Sequence, residues 1–223
     1  MARRESGLTL AELLVMVAIV VALVAMLVYG LTWGLEKARR TRCRKNLSWL
    51  ARSIGVYLNE HGDGRFLPVP LGQGTTPGDY NGAEWLAAFY WCGVMPDPGV
   101  FLCPSSGDTN HDGLDIGTHR APAAFGSQTV SYAALHYRSQ TDASGQPFGA
   151  VIRDEDFPPN MPMACDDTQG SINHGGRRGG MAVLFFDSHV EWRPRDDVDP
   201  ETAVGDQGPG GGAPKGLLWQ LRN

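Results

Sequence analysis

Residues 8–35, LTLAELLVMVAIVVALVAMLVYGLTWGL, decide the fold of this chain. From Leu13 to Leu35 they include 23 consecutive residues without a charged side chain. About 20 such residues cross the hydrocarbon core of a bilayer as an α-helix, so the stretch predicts a transmembrane helix. A secretory signal peptide has a shorter apolar region followed by a small-residue cleavage site. A basic segment follows here instead, so we expect the helix to remain in the mature protein.

Charge divides the chain into two unequal parts near residue 45. The 223 residues carry a formal net charge of −5, and 42% hydrophobic with 19% charged residues is typical of a chain that folds around a core. Residues 1–45 hold 8 Lys and Arg against 3 Asp and Glu, whereas residues 46–223 hold 11 against 21. The 29 glycines and 15 prolines follow no repeat, which excludes collagen and favours a loop-rich domain. This acidic balance argues against a general nucleic-acid partner.

The residues in front of the apolar stretch form a short and distinctive pattern. A short basic leader with Arg3 and Arg4 ends at Gly7, and Leu8-Thr-Leu-Ala-Glu12 follows. This pattern resembles the leader of type IV prepilins and type II secretion pseudopilins, in which a membrane-embedded peptidase cuts after the glycine and the new terminus is N-methylated. The resemblance implies cleavage after Gly7 and methylation of Leu8, which stands where phenylalanine is commonest in the family.

Glu12 is the charged residue next to the apolar run. A lone carboxylate near the start of a membrane helix is costly unless it is paired, and the α-amino group of a neighbouring processed Leu8 is a natural partner. Glu12 would then set the axial register between the subunits of a filament. The alternative is that Glu12 only reaches the lipid head groups.

The helix is predicted to continue past the membrane to about Glu60. No proline occurs before residue 68, and Gly62 and Gly64 mark the end of the helix. An apolar face recurs at steps of four and three residues: Cys43, Leu47, Leu50, Ile54 and Tyr57 with Leu58. The alternative is a coiled coil, but the face is under three heptads long, so we expect residues 36–60 to pack against the chain's own head.

Residues 61–223 are predicted to form a loop-rich head around a small antiparallel sheet. The predicted elements are a helix at Glu84–Tyr90, short strands at Phe101–Pro104 and Ser131–Ala133, and a hairpin of Met181–Phe186 with His189–Trp192. Asp187 and Ser188 form the two-residue turn of that hairpin. The predicted fold class is therefore α+β and pilin-like, with a long N-terminal helix, transmembrane in its first half, packed on a small antiparallel sheet.

The hairpin belongs to a second motif. Asn173-His174-Gly175-Gly176 precedes it, and Asp187-Ser188-His189-Val190-Glu191-Trp192 follows its first strand. This resembles a planctomycete-type group of prepilin-like proteins with Asn-His-Gly-Gly, a spacer, an apolar strand and Asp-Gly-His-Val. Here Ser188 replaces the glycine of the turn, and serine lacks easy access to positive φ, so we expect a turn of another type.

Acidic and histidine side chains around the hairpin suggest a metal site. The candidates are Asp166, Asp167, His174, Asp187 and His189, since carboxylates and imidazoles bind zinc and similar ions. Their spacing matches no closed zinc signature, and further ligands would have to come from elsewhere. We therefore predict that His174, Asp187 and His189 are structural, and that they hydrogen-bond the loop-rich backbone and hold the hairpin on the head.

A separate acidic segment suggests calcium. Asp108-Thr-Asn110-His-Asp112-Gly has the first six positions of an EF-hand loop, although position twelve is His119 rather than glutamate. The resemblance to pseudopilins, which are known for a structural calcium, supports this interpretation. Asp108, Asn110 and Asp112 are therefore candidate ligands of a structural calcium, and a surface turn rich in Asp and Asn is the alternative.

The cysteines leave several pairings open. Cys43, Cys92, Cys103 and Cys165 allow three complete sets of disulfides, among which the sequence does not choose. An exported head lies in an oxidising compartment, which permits disulfides. The sequence contains no Cys-x-x-Cys, nucleophile elbow or phosphate loop, and we predict that the chain is not an enzyme.

These features predict a structural subunit, either a type IV pilin-like protein or a type II secretion pseudopilin. The resemblance implies four segments: a leader (1–7), a transmembrane assembly helix (8–35), its amphipathic continuation (36–60) and the head (61–223). It also implies a prepilin peptidase/N-methyltransferase and other pilin-like subunits as partners. The subunit would be stored in the inner membrane with its leader in the cytoplasm and its head outside, and then join an envelope or extracellular filament.

Two alternatives stay open. Six basic residues lie in residues 37–45, against two before the helix, and the positive-inside rule would then place the head in the cytoplasm. We follow the leader motif, because it is the sharper signal. The alternative function is a permanently anchored envelope protein whose head binds a ligand or has hydrolytic activity.

Overall fold

A computed structural model describes residues 9–61, 82–110, 129–135, 140–141, 147–148, 159–166, 172–175, 179–195, 218 and 221–222. The chain divides into two compact units, Met1–Ala38 and Arg39–Asn223. Helix α1 (Leu10–Glu60) contributes its first part to the first unit and its remainder to the second. The division places most of the amphipathic continuation in the same unit as the head.

The described part of the first unit consists of the apolar part of α1. Every side chain from Leu10 to Leu35 is exposed, including Leu10 and Tyr29 at 78%. The most apolar 18-residue window of α1 has a mean hydropathy of 2.9 and no buried residue. The prediction of a helix long and apolar enough to cross a membrane is confirmed.

The second unit contains an antiparallel sheet. Its strands are β1 (Tyr132–Leu135), β4 (Pro162–Asp166), β5 (Gly180–Phe185), β6 (Val190–Pro194) and β7 (Leu221–Arg222), while β2 (Gln140–Thr141) and β3 (Pro147–Phe148) pair separately. The strand order is β6-β5-β4-β1-β7, and each neighbouring pair is antiparallel. β4 and β5 are buried at every residue, as expected of central strands that are covered on both faces. The α+β layout is confirmed.

The amphipathic part of α1 packs within the second unit. Cys43, Leu47 and Leu50 have no solvent exposure, and the Tyr57 ring meets the Phe89 ring edge-on at 5.9 Å between centroids. Phe89 belongs to α2 (Gly82–Trp91), which confirms the predicted short helix. The preference for packing on the chain's own head over a coiled coil is also confirmed.

One predicted strand is wrong. Phe101–Pro104 does not form a strand, because Phe101 is the last residue of a 3-10 helix (Pro98–Phe101) and Leu102 is its C-cap. The Asp97 side chain accepts a hydrogen bond from the Gly99 N–H at 2.9 Å, and Pro98 takes the first position of the helix, where a missing N–H has no cost. Phe101 is nevertheless buried, so its apolar side chain belongs to the hydrophobic core without being part of a strand.

The β5–β6 hairpin is confirmed, but its loop has three residues instead of two. Phe185 N–H donates to His189 O at 3.0 Å, and Ser188 N–H donates to Phe185 O at 2.9 Å, which leaves residues 186–188 as the loop. Ser188 has φ = 70°, the left-handed value that the third residue of such a loop requires. The loop is thus of another type, as expected from the replacement of glycine by serine, but Ser188 takes a positive φ all the same, because the strand pairing imposes it.

Ser188→Gly is expected to stabilise the second unit by about 1 kcal/mol, because a residue with a Cβ pays about that cost in the left-handed region. Chemical denaturation of the two chains in the same detergent measures the difference. An unchanged or lower free energy of unfolding in Ser188→Gly would show that the serine side chain compensates for its backbone conformation.

Candidate functional site

Cys43 reaches the sheet because of where it lies on α1. It begins the buried face of the helix, and three residues later Asn46 anchors that face to two other segments. Asn46 Nδ2 donates to Leu102 O at 3.0 Å and to the Tyr132 hydroxyl at 3.3 Å. The Tyr132 hydroxyl is also hydrogen-bonded with Cys43. These contacts hold the Cys43 thiol between the loop after the 3-10 helix and strand β1.

Asp166 supplies a carboxylate from the sheet. It is the last residue of β4, its register partner on β1 is Tyr132, and its side chain has no solvent exposure. Asp166 Oδ1 accepts a hydrogen bond from the Cys43 thiol, and Oδ2 accepts one from the Ala182 N–H at 2.9 Å. The carboxylate therefore joins α1 to two central strands.

Cys103 enters from the loop that follows the 3-10 helix. The backbone fixes this loop on both sides, since Ser131 N–H donates to Phe101 O at 2.9 Å and Ser106 N–H donates to Cys103 O at 3.1 Å. The Cys103 side chain is buried. Its Sγ lies 3.5 Å from His174 Nε2 and is hydrogen-bonded with Cys43.

His174 approaches from the segment that precedes β5. Gly180 N–H donates to His174 O at 3.1 Å, which forms an isolated bridge at the start of the strand. The imidazole packs against the Trp192 ring at 5.5 Å between centroids. Its Nε2 lies 3.8 Å from Asp166 Oδ2, and both side chains have no solvent exposure.

These four side chains form one cluster, the Cys43–Cys103–Asp166–His174 cluster. Their ligand atoms all lie within 4.8 Å of one another, and all four residues are buried. Cys43 and Asp166 are 123 positions apart, and Cys103 and His174 are 71 apart. Two thiols, a carboxylate and an imidazole from four separate segments form a typical donor set for a transition metal.

Burial and mutual interaction perturb the acidity of the cluster. Burial raises the pKa of Asp166 to about 7, and the neighbouring Cys103 adds to the rise. Hydrogen bonds with Cys43 and His174 lower the pKa of Cys103 to about 5 against the opposing effect of burial. Burial raises the pKa of the Cys43 thiol well above its usual range. The side chains thus compete for a small number of protons in a place that excludes water.

The arrangement differs from a nucleophile–base–acid relay. In a Cys-His-Asp relay, the thiol and the carboxylate bind opposite nitrogens of the imidazole. Here Cys103 Sγ and Asp166 Oδ2 both lie nearest His174 Nε2, so the carboxylate does not orient the ring for proton transfer from the thiol. The donors instead converge on a common point, which favours joint coordination.

Glu12 has a partner that the sequence analysis did not foresee. Glu12 Oε2 accepts hydrogen bonds from the Thr9 N–H at 2.9 Å and the Thr9 hydroxyl at 2.8 Å, and Glu12 N–H donates to Thr9 Oγ1 at 3.3 Å. This reciprocal arrangement is a capping box. Its Thr-x-x-Glu signature is visible in the sequence. The proposed processing residues Gly7 and Leu8 lie outside the described residues.

The two halves of the C-terminal motif lie at opposite ends of β5. His174 pairs with Gly180 at one end, whereas Asp187 and His189 follow Phe185 at the other, about 17 Å along a six-residue strand. Asp187 Oδ1 accepts from the His189 N–H at 3.1 Å, which lowers the pKa of Asp187, and it also contacts the His189 ring. That ring stacks on Phe185 at 4.3 Å. The described contacts of Asp187 and His189 thus stabilise the loop, whereas His174 belongs to the buried cluster.

The calcium candidates are only partly described. Asn110 is buried, and its Nδ2 donates to Pro98 O at 2.6 Å. Asp108 N–H donates to the Ser106 hydroxyl at 3.3 Å. Asp112 lies outside the described residues, as does Asp167 of the earlier metal interpretation. The calcium site therefore stays a prediction.

None of the four cysteines, all of which the structure describes, is joined in a disulfide. Cys43 and Cys103 meet in the cluster, while Cys165 is buried next to Asp166 in β4, where successive side chains point to opposite faces of the sheet. Cys92 is half-buried just after α2. The sequence analysis named Asp166 and His174 as metal candidates but did not join them to the two cysteines, because no local spacing connects the four positions.

No protein-family model, no curated protein and no solved structure matches the chain. The geometry of its own residues therefore carries the functional interpretation.

Gly180→Ala is expected to disrupt the Cys43–Cys103–Asp166–His174 cluster, although Gly180 is not one of its four residues. A Cβ at Gly180 would lie 2.2 Å from Arg193 O and 3.0 Å from the Trp192 indole, so the β5–β6 pairing that positions His174 would have to shift. We expect a loss of about 3 kcal/mol or more in the free energy of unfolding, measured by denaturation.

Gly175→Ala is the matched control for this change. A Cβ there would meet nothing closer than Ile172 O at 4.0 Å, so its expected effect is small. Equal losses in the two variants would contradict the close approach at Gly180.

Proposed function

We propose that the chain is a structural subunit of the type IV pilin-like or type II secretion pseudopilin class. It is cleaved after Gly7, N-methylated on Leu8 and assembled into a cell-envelope filament through residues 8–35. The observation that carries this proposal is the division of α1 between an apolar, fully exposed part and a part buried in the head.

The exposed part of α1 requires a partner other than water. Large aliphatic side chains from Leu10 to Leu35 are all more than half exposed. A continuous apolar surface of this size indicates a membrane-spanning segment or, in a soluble protein, an interface with another protein. A subunit that is stored in a bilayer and then packed against other subunits exchanges one apolar environment for another, so a single surface serves both states.

The position of Glu12 favours assembly over simple anchoring. It is the acidic residue in the first turn of α1, directly before the uncharged run. Both hydrogen bonds from Thr9 end on Oε2, and an ionised carboxylate has further acceptor capacity on its other oxygen. A neighbouring N-methylated Leu8 would supply the compensating positive charge, because its α-amino group starts the mature chain.

The basic segment at residues 37–45 has contacts that do not depend on membrane orientation. The Arg40 guanidinium lies 4.8 Å from the centre of the Trp192 ring and donates to Gly175 O at 3.5 Å. Arg44 donates to Val190 O at 3.4 Å. These arginines contact the head. Their positive charge therefore has a structural role there, apart from any effect on the orientation of the membrane helix. The positive-inside count is therefore weaker evidence for a cytoplasmic head.

The mature amino terminus tests the proposal directly. In cells that contain a prepilin peptidase/N-methyltransferase, mass spectrometry of the purified chain should find N-methyl-Leu8 as the first residue. Gly7→Leu, which places a bulky side chain at the cleavage site, should leave the leader attached. A wild-type chain that keeps Met1 in such cells would refute the pilin-like function and favour the permanent anchor.

The charge and the cap of Glu12 are separable in variants. Glu12→Gln retains the capping box, because glutamine serves at this position, but removes the charge. Thr9→Ala removes the cap, at a cost of about 1 kcal/mol, but retains the charge. We expect both variants to be cleaved and inserted, and filament yield to fall in Glu12→Gln as far as in Glu12→Ala. Normal filaments from Glu12→Gln with defective ones from Thr9→Ala would reduce the role of Glu12 to capping.

A further inference from the structure

We propose that the Cys43–Cys103–Asp166–His174 cluster is a structural zinc site that fastens the second half of α1 to the sheet. The ligands are the two thiolates, the Asp166 carboxylate and His174 Nε2. This inference concerns the head alone and does not depend on filament assembly.

The donor types select the metal. Calcium and magnesium take oxygen ligands, whereas thiolates and imidazole suit zinc and its transition-metal neighbours. Four protein ligands with no place for a water are typical of structural zinc, whereas catalytic zinc keeps one open position. The cluster offers one donor atom from each of four buried residues, which is the closed arrangement.

Two of the separations match the edges of a zinc tetrahedron, and all four ligand atoms lie within 4.8 Å of one another. With zinc bonds of about 2.3 Å to sulfur and about 2.1 Å to nitrogen or oxygen, the edges of the tetrahedron are about 3.4–3.8 Å. Cys103 Sγ lies 3.5 Å from His174 Nε2, and this nitrogen lies 3.8 Å from Asp166 Oδ2. The Cys43 thiol donates a hydrogen bond to Asp166 Oδ1, and zinc would displace this proton.

Charge gives the reason for a cation at this point. Two thiols and a carboxylate are buried together here, and a buried charge must be paired or bound to a metal. In the part of the chain that the structure describes, His174 is the basic side chain within salt-bridge distance of Asp166. A divalent ion would balance most of the negative charge at once.

The surroundings resemble an outer coordination shell. Ala182 N–H donates to Asp166 Oδ2 at 2.9 Å, and the Tyr132 hydroxyl is hydrogen-bonded with Cys43. Asn46 in turn donates to that hydroxyl at 3.3 Å, and Trp192 packs on the His174 ring. Such contacts orient metal ligands and raise affinity.

A Cys43–Cys103 disulfide is the competing use of the same thiols. In an oxidising compartment it would cross-link α1 to the same loop. It would leave Asp166 and His174 buried beside it without a cation, whereas zinc gives all four side chains a role. The two states exclude each other, so the metal content and the thiol state of the chain taken directly from cells distinguish them.

The test uses the full chain in detergent, purified under reducing conditions with zinc in the medium. We expect one zinc per chain by elemental mass spectrometry. Replacement by Co²⁺ should give a thiolate-to-metal charge-transfer band and the strong visible bands of a tetrahedral site. Cys103→Ser and Asp166→Asn should each weaken zinc binding about 100-fold, and Tyr132→Phe about 10-fold.

Cys92→Ser is the matched control, because it also removes a thiol but lies outside the cluster, and it should bind zinc like the wild type. If the ligand variants do not fold, the melting temperature of the wild-type chain tests the proposal. A chelator should lower this temperature, and zinc should restore it. A folded, reduced wild-type chain with far less than one zinc would overturn the proposal. So would a metal-free chain from cells with Cys43 and Cys103 joined in a disulfide.

Discussion

The carboxylate of Asp166 has no access to water, and it lies where a helix packs on a sheet. A buried carboxylate is tolerated only when its surroundings satisfy it, so the elements around Asp166 have little freedom of position. The Ala182 N–H sets the β4–β5 register beside it, the Cys43 thiol sets the rotation of α1, and His174 sets the approach of the segment before β5. Displacing any of them would leave the carboxylate unsatisfied.

This constraint gives the two parts of α1 opposite requirements. The second part must present Cys43 and Asn46 to the sheet in one orientation, since both make specific polar contacts. The first part, from Leu10 to Leu35, exposes apolar side chains all around the helix. One continuous helix can therefore have a second part held in one orientation in the head and a first part with a uniformly apolar surface. The proposed filament subunit, which would move from a membrane into an assembly, needs this combination.

Much of the fold follows from local pattern. The apolar run, the steps of three and four on α1, the helix α2 and the β5–β6 hairpin were all predictable, because each is a periodicity within a few neighbouring residues. Strand β4 was not predicted, since Pro162 stands at its start and its run is short, yet it is a central strand. Phe101 shows the reverse error, as an apolar residue that is buried in a 3-10 helix rather than in a strand.

The sequence by itself determined the apolar helix, the leader pattern with its Thr9–Glu12 cap and the alternation of the hairpin, because these depend on neighbours along the chain. Only the tertiary structure decided that His174 belongs with Cys43, Cys103 and Asp166 instead of with Asp187 and His189. The extended conformation of β5 places its ends about 17 Å apart and so separates residues that form one motif in sequence. The antiparallel pairing, with α1 packed across it, joins donors that are 123 positions apart, and no local spacing encodes that contact.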